Sequence, residues 1–204
     1  MKPSSELFNH LIKKVEPLIK GEGFSKRGTV FYSKNSGNWE IIEFQKSQSG
    51  DVDTVAFTIN LAIASIKLMK FFDPDRQMTL PERDERHWDK RIGLLLPSRE
   101  DKWWVLSNKN SMDEVVNVIS SYLIILVIPE LKKFSSDLAL RDLWLSGISP
   151  GLTEVQRLLN LTVLLTHLGP MDALPEVIER LKVLSAARPT EAMVQTYLKK
   201  LEKK

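Results

Sequence analysis

The densest concentration of side chains able to bind or react is His87-Trp88-Asp89-Lys90-Arg91, followed closely by Trp103-Trp104. Aromatic rings beside arginine can stack on nucleic-acid bases, anchor a protein partner, or simply cover the face of a sheet. Trp88, Arg91, Trp103 and Trp104 are therefore candidate partner-binding residues, with local sheet packing as the plain alternative. A second candidate lies at Gln45-Lys46-Ser47-Gln48-Ser49, with Lys26-Arg27 on the neighbouring strand. Basic and amide side chains at one sheet end can hold an anion or a carboxylate, and solvated turn residues explain them equally well. Gln45 and Lys46 join the candidate set.

Nothing else in the chain carries recognisable catalytic chemistry. There is no Gly-x-Ser-x-Gly, no His-Glu-x-x-His and no phosphate-cradling glycine loop. His10, His87 and His167 stand far apart without ligand spacing, so structural or surface roles are expected for them. Glu43-Phe44-Gln45-Lys46 and Pro74-Asp75 superficially resemble a metal-dependent nuclease signature. Their order is reversed, and the Glu-to-Lys spacing is one residue too long. The chain has no cysteine, which removes disulfides, thiolate zinc sites and cysteine nucleophiles together. The reading is a non-enzyme with no catalytic, cofactor-binding or metal residues and no cofactor.

Composition bounds the setting. At 204 residues and 43% hydrophobic content, the chain can bury roughly 70% of its unfolded surface. Charge is nearly balanced at +3, and the pI near 9.0 is a weak argument for a polyanionic partner. Met1 to Glu6 is followed by no apolar leader. The longest unbroken apolar run, Tyr122 to Ile128, is short of the ~20 residues that span a bilayer. A cytoplasmic protein without membrane association is expected.

Elements that could position these residues follow from periodicity. Leu7, Phe8, Leu11, Ile12, Val15, Leu18 and Ile19 mark a first helix, kinked at Pro17 and ended by Gly21 and Gly23. Phe24 to Lys34 predicts one strand, ended by the turn Asn35-Ser36-Gly37-Asn38. Trp39 to Lys46, apolar on both faces, predicts a central strand, with a turn at Ser47 to Asp51. Val55, Phe57, Ile59, Leu61 and Ile63 alternate with smaller residues, placing the larger set on one buried face. Ile92 to Leu96 and Trp103 to Leu106 predict a further hairpin through Ser98 to Asp101.

Beyond Ser111 the pattern is helical. A helix from Met112 to Phe134, interrupted near its end by Pro129, is expected to be buried on most sides. Four more helices are predicted: Leu138 to Leu145, Thr153 to Leu168, Leu174 to Leu184 and Thr190 to Leu201. The fold class is α+β: an antiparallel sheet of about five strands with helices packed on one face, plus a C-terminal all-helical extension. Residues 1–134 form the α+β domain and residues 135–204 the extension. Three apolar stripes in the extension cannot all face water. Docking on the domain is expected, with dimerisation or an independent tail as alternatives, so the chain is read as a monomer or homodimer.

Several segments carry a resemblance. They are Leu18-Ile19-Lys20-Gly21-Glu22-Gly23-Phe24, Asn38-Trp39-Glu40-Ile41-Ile42-Glu43-Phe44-Gln45-Lys46-Ser47 and Phe57-Thr58-Ile59-Asn60-Leu61. His87-Trp88-Asp89-Lys90-Arg91-Ile92-Gly93-Leu94-Leu95-Leu96-Pro97, with Lys102-Trp103-Trp104, completes the set. Over about the first two thirds, the chain resembles the bacterial family called domain of unknown function 4304. The resemblance implies a compact α+β domain in a bacterial cytosolic protein, and it brings no activity, cofactor or catalytic residue. The function expected is a non-enzymatic protein-binding module of adaptor or immunity-like type. A nucleic-acid-binding domain using an Arg/Trp-rich sheet face is the alternative, and an enzyme of unrecognised type the third reading.

Overall fold

A computed structural model of the chain describes residues 3–48, 53–108 and 111–201. The expected turn at Ser47 to Asp51, and with it Ser49 of the second candidate cluster, lies partly outside the described residues. Helix α1 (Pro3–Gly21) is followed by strands β1 (Ser25–Arg27), β2 (Val30–Asn35), β3 (Asn38–Lys46) and β4 (Thr54–Ser65). Helix α2 (Ile66–Phe72), β5 (Trp88–Arg91) and β6 (Trp104–Ser107) come next. The helix α3 (Met112–Phe134) leads into α4 (Asp137–Leu145), α5 (Glu154–Leu168), α6 (Leu174–Ser185) and α7 (Glu191–Leu201).

The sheet is antiparallel and has six strands. Two differences separate it from the sequence expectation, and the first accounts for the extra strand. The single strand expected over Phe24 to Lys34 is a hairpin, β1 and β2, folded at Gly28, whose φ of +63° suits a residue without a side chain. The hairpin expected between Ile92–Leu96 and Trp103–Leu106 does not form. Residues Ile92–Leu95 make a 3₁₀ turn, and β5 and β6 instead pair in tandem with β4, at Asn60 to Ile63 and at Thr54 to Phe57. Twelve residues make β4 long enough to hold two short partners end to end, while the intervening segment loops away. That loop closes on itself so tightly that a Cβ on Gly93 would lie 2.0 Å from the Glu100 carbonyl oxygen.

The alternation expected for β4 holds. Val55, Phe57, Ile59, Leu61 and Ile63 join Phe31, Ile42 and Phe44 in the main core, packed by α1 and α3. Trp39 and Ile41 point to the opposite face and form a second cluster with Ala62, Ala64 and Met69. Helix α1 continues through Pro17 to Gly21.

Helix α3 differs from expectation twice. Pro129 does not interrupt it. The ring of Pro129 crowds the carbonyl four residues back and supplies no N–H, and the preceding turn, Leu123–Val127, widens to a π-helix. There the Ile128 N–H donates to the Leu123 carbonyl. Nor is α3 buried on most sides. Ile119, Leu123, Val127, Ile128 and Leu131 are buried, but Val118, Ile124 and Ile125 are 44%, 42% and 61% exposed. By length and composition α3 is apolar enough to cross a membrane, and here its buried stripe belongs to the sheet core.

Helices α4 to α7 fall almost where periodicity places them. Leu140, Trp144, Leu158, Leu161, Leu165, Leu181, Val194 and Leu201 belong to the same continuous core cluster as the sheet. Helix α5 is the centre of this region, buried from Arg157 to Leu165. Helix α7 reaches back to α2: Tyr197 packs on Phe71 and Phe72, and the Lys200 ammonium donates to the Phe71 carbonyl at 2.6 Å.

Candidate functional site

Strand pleating separates the residues that sequence proximity groups together. Trp88 and Trp104 pair across β4 with Ile63 and Phe57, so both enter the main core. Trp88 is fully buried against Phe134, and Trp104 stacks on Phe57 and lies tilted against Tyr122. They pack; they do not present a surface. Lys46 lies at the exposed end of β3, where its ammonium approaches the Ser5 hydroxyl at 3.4 Å.

Arg91, Trp103 and Gln45 do come together, on the second face. The Asn60 amide donates to Gln45 at 2.7 Å, and Arg91 Nε donates to Asn60 at 3.3 Å. Arg91 Nη1 also donates to both oxygens of Asp101, at 2.9 and 2.8 Å. Trp103 Nε1 donates to Asp101 at 2.8 Å, with the Arg91 guanidinium over its ring. Hydrogen bonds from Arg91 and then Trp103 hold the Asp101 carboxyl below the usual range. The network is self-satisfied: its one arginine already has a carboxylate.

Further along the second face, charge is again neutralised internally. Glu43 accepts from Arg83 at 2.6 Å and from Arg86 at 2.8 Å. Burial pushes the Glu43 carboxyl up, but these two arginines outweigh it and hold the pKa below its ordinary value. Burial raises that of Asp89, partly offset by Arg86. The Asp89 backbone N–H is taken by the Pro150 carbonyl at 3.1 Å. Gly151 follows at φ +80°, so close that a Cβ would lie 2.6 Å from that of Asp89. The α4–α5 loop thereby closes the edge of β5.

Between this edge and the helical region lies a cleft of about 280 Å³. Met69 and Phe72 of α2, Leu152, Leu159 of α5 and Met193 of α7 supply apolar wall. Arg86, His87, Gln156 and Asn160 supply polar groups, and Asp73, Asp84 and Glu85 complete the lining. His87 is anchored from below: the Ser65 N–H donates to its Nδ1 at 3.0 Å. Burial lowers its pKa to about 4, so near neutral pH the ring is uncharged and carries its proton on Nε2. Asn160, in a helix otherwise apolar at that level, is 6% exposed, and its side-chain amide makes no hydrogen bond among the described residues.

Ser65, His87 and Asp137 are neighbours, yet they do not form a nucleophilic triad. The Ser65 hydroxyl is buried, donates to Asp137 at 2.6 Å and accepts from the Leu68 N–H as the cap of α2. His87 meets the serine backbone, not its oxygen. Among the described residues no three His, Asp or Glu side chains converge as a metal-binding group.

The sequence assigns His87 a structural or surface role and gives Asn160 none. A signal for Asn160 was present: a polar residue inside the apolar run Leu158 to Leu165 has to meet a partner or a cavity. The exposed isoleucines of the α3 π-turn, Ile124 and Ile125, are hidden in the sequence because an apolar run reads the same whether buried or not. No curated protein and no solved structure matches the chain. The family model described as domain of unknown function (DUF4304) matches residues 15–133, a span that holds the whole sheet from β1 to β6, with α2, the C-terminal end of α1 and most of α3. The helices α4 to α7, which build the far wall of the cleft, lie beyond that match, and the chain belongs to the DUF4304 family.

Proposed function

We propose that this protein is a non-enzymatic, cytoplasmic protein-binding module of adaptor or immunity-like type, and that it engages its partner through the π-turn of α3. One observation carries the reading. Pro129 forces the widened turn at Leu123–Val127, and that turn presents Ile124 and Ile125 to solvent with Val118 one stripe below. Exposed branched apolar side chains on a π-turn are a costly surface for a protein that binds nothing. The 3₁₀ turn beside it adds Leu94, 51% exposed.

Charge favours a protein as the occupant. Asp113 and Glu114 open the helix, while Lys132 and Lys133 end it. A patch flanked by both signs suits a protein rim, whereas an anionic bilayer or nucleic acid would favour one-signed basic flanks. The nucleic-acid alternative draws on Arg91 and Trp103, and it is weakened because Asp101 already occupies both.

The test is a photo-cross-linking amino acid at Ile125 in the source cell, with the same probe at exposed Val183 as control. A discrete protein adduct, specific to position 125 and lost on Ile124→Asp, supports the reading. Adducts only to lipid or nucleic acid, or none distinct from the control, overturn it.

A further inference from the structure

The cleft at His87 and Asn160 lies apart from the α3 face, and its chemistry points elsewhere. At about 280 Å³ it sits just below the roughly 300–1,000 Å³ usual for small-molecule sites. Two of its polar side chains are more than nine-tenths buried: His87 at 7% and Asn160 at 6% exposure. Their unpartnered polar atoms are not sealed from solvent but open into the cleft, where a ligand could take the place of water as their hydrogen-bond partner.

Each group specifies something about that ligand. The Ser65 N–H fixes the His87 tautomer, so Nε2–H can only donate. The Asn160 amide offers two donors and an acceptor, for which a carboxamide is the complement. The terminal nitrogens of Arg86 are committed to Glu43 and Asp89, which leaves its buried Nε as one further donor without a partner among the described residues. Glu85 is likewise committed to Arg76. Asp73 and Asp84 are exposed and lie outside the ion pairs among the described residues. Arg76 lies near enough to Asp73 to feel its charge, but neither carboxylate is held in an ion pair among those residues, and together beside an apolar wall they favour a cation.

We propose that the cleft is a binding site for a small organic cation with an apolar body and a carboxamide or equivalent edge, such as an amino-acid amide. The apolar body lies against Phe72 and Leu159, the amide edge meets Asn160 and His87, and the ammonium lies toward Asp73 and Asp84. The DUF4304 part and the helices beyond it each supply one wall, so the site needs both parts of the chain.

The probes are phenylalaninamide and leucinamide, with N-acetylphenylalanine as an anion of similar apolar body. Each is titrated into the full chain while nitrogen-15 NMR follows the Asn160 side-chain amide and the His87 ring. The expected result is saturable perturbation of both residues by the two cations and none by the anion. Asn160→Ala should weaken binding by about five- to tenfold, the worth of roughly one hydrogen bond. Asp84→Asn, an exposed change that leaves the fold intact, should weaken the cations alone by about two- to fivefold. Equal binding of the anion overturns the charge assignment. Saturable binding that leaves Asn160 and His87 unmoved, or no binding at millimolar probe, overturns the site. Loss of α3-dependent cross-linking would leave these outcomes unchanged.

Discussion

The two faces of the sheet are built from the same strands and reach opposite ends. On the first, Phe31, Ile42, Phe44, Phe57, Ile59, Leu61, Trp88 and Trp104 form one apolar surface covered by helices. On the second, Trp39, Ile41, Ala62 and Ala64 make a small cluster, and the rest is polar: Glu43, Gln45, Asn60, Asp89 and Arg91. A strand exchanges faces with each residue, so a motif as short as Trp88-Asp89-Lys90-Arg91 is divided between core and network. Adjacency along the chain is therefore poor evidence for a shared surface within a strand. The second face, where Glu43 and Asp101 are paired with arginines rather than excluded, is also the one that leads to the cleft.

The sharpest way to break this contrast is to truncate one side chain to alanine on each face. Phe57→Ala should cost about 3–5 kcal/mol, because Phe8, Phe44 and Trp104 cannot all collapse onto the gap. Gln45→Ala, across the sheet, should cost about 1 kcal/mol, one hydrogen bond. Urea denaturation of both variants gives the comparison directly. Similar losses would mean that the faces are not energetically distinct.

His87 tests the second face by pH. Burial depresses its pKa from 6.5 to about 4, so between those values the unfolded chain binds a proton that the folded one does not. Stability contributed by the neutral ring is then full above pH ~6.5 and lost as pH falls toward ~4, by about 3 kcal/mol in all. His87→Gln should flatten the urea midpoint over that window. A midpoint slope unchanged by the substitution would show that the ring titrates normally. Carboxylates such as Glu43, whose pKa is held low, lose their contribution only at lower pH, so the two effects separate.

Smaller effects are expected at the exposed end of the network. Asp101→Asn removes the carboxylate that holds Arg91 and Trp103, but the pair is more than one-third exposed and solvent screens it. The cost should be about 1 kcal/mol or less, accompanied by a change in Trp103 fluorescence. A loss above ~2 kcal/mol would make the network a structural core in its own right. Smallest of all, Ile125→Ser should change the melting midpoint by no more than ~0.5 kcal/mol equivalent, since that side chain is 61% exposed. A larger loss would place it in packing and remove the basis for a docking face.

Sequence alone determined the local elements and their class. Alternation in Val55 to Ile63 and three-to-four spacing from Leu158 to Leu165 are properties of neighbouring residues, and the long helices and β3 and β4 follow them. What it misjudged were features decided by distant contacts. Gly28 breaks a stretch of good β-formers because the hairpin can then pair on to β3. Ile92 to Leu96 has strand composition, yet β4 already holds Trp88 to Arg91 and Trp104 to Ser107 along its free edge. The same limit applied to the candidate residues. Trp88 and Arg91 were found together in the chain, but only pleating and register decided that one enters the core while the other binds Asp101. His87 and Asn160 stand far apart in sequence, and their meeting depends on the Pro150 loop docking against Asp89. Local propensity is written residue by residue, whereas a cleft exists only where two remote elements fail to fill the space between them.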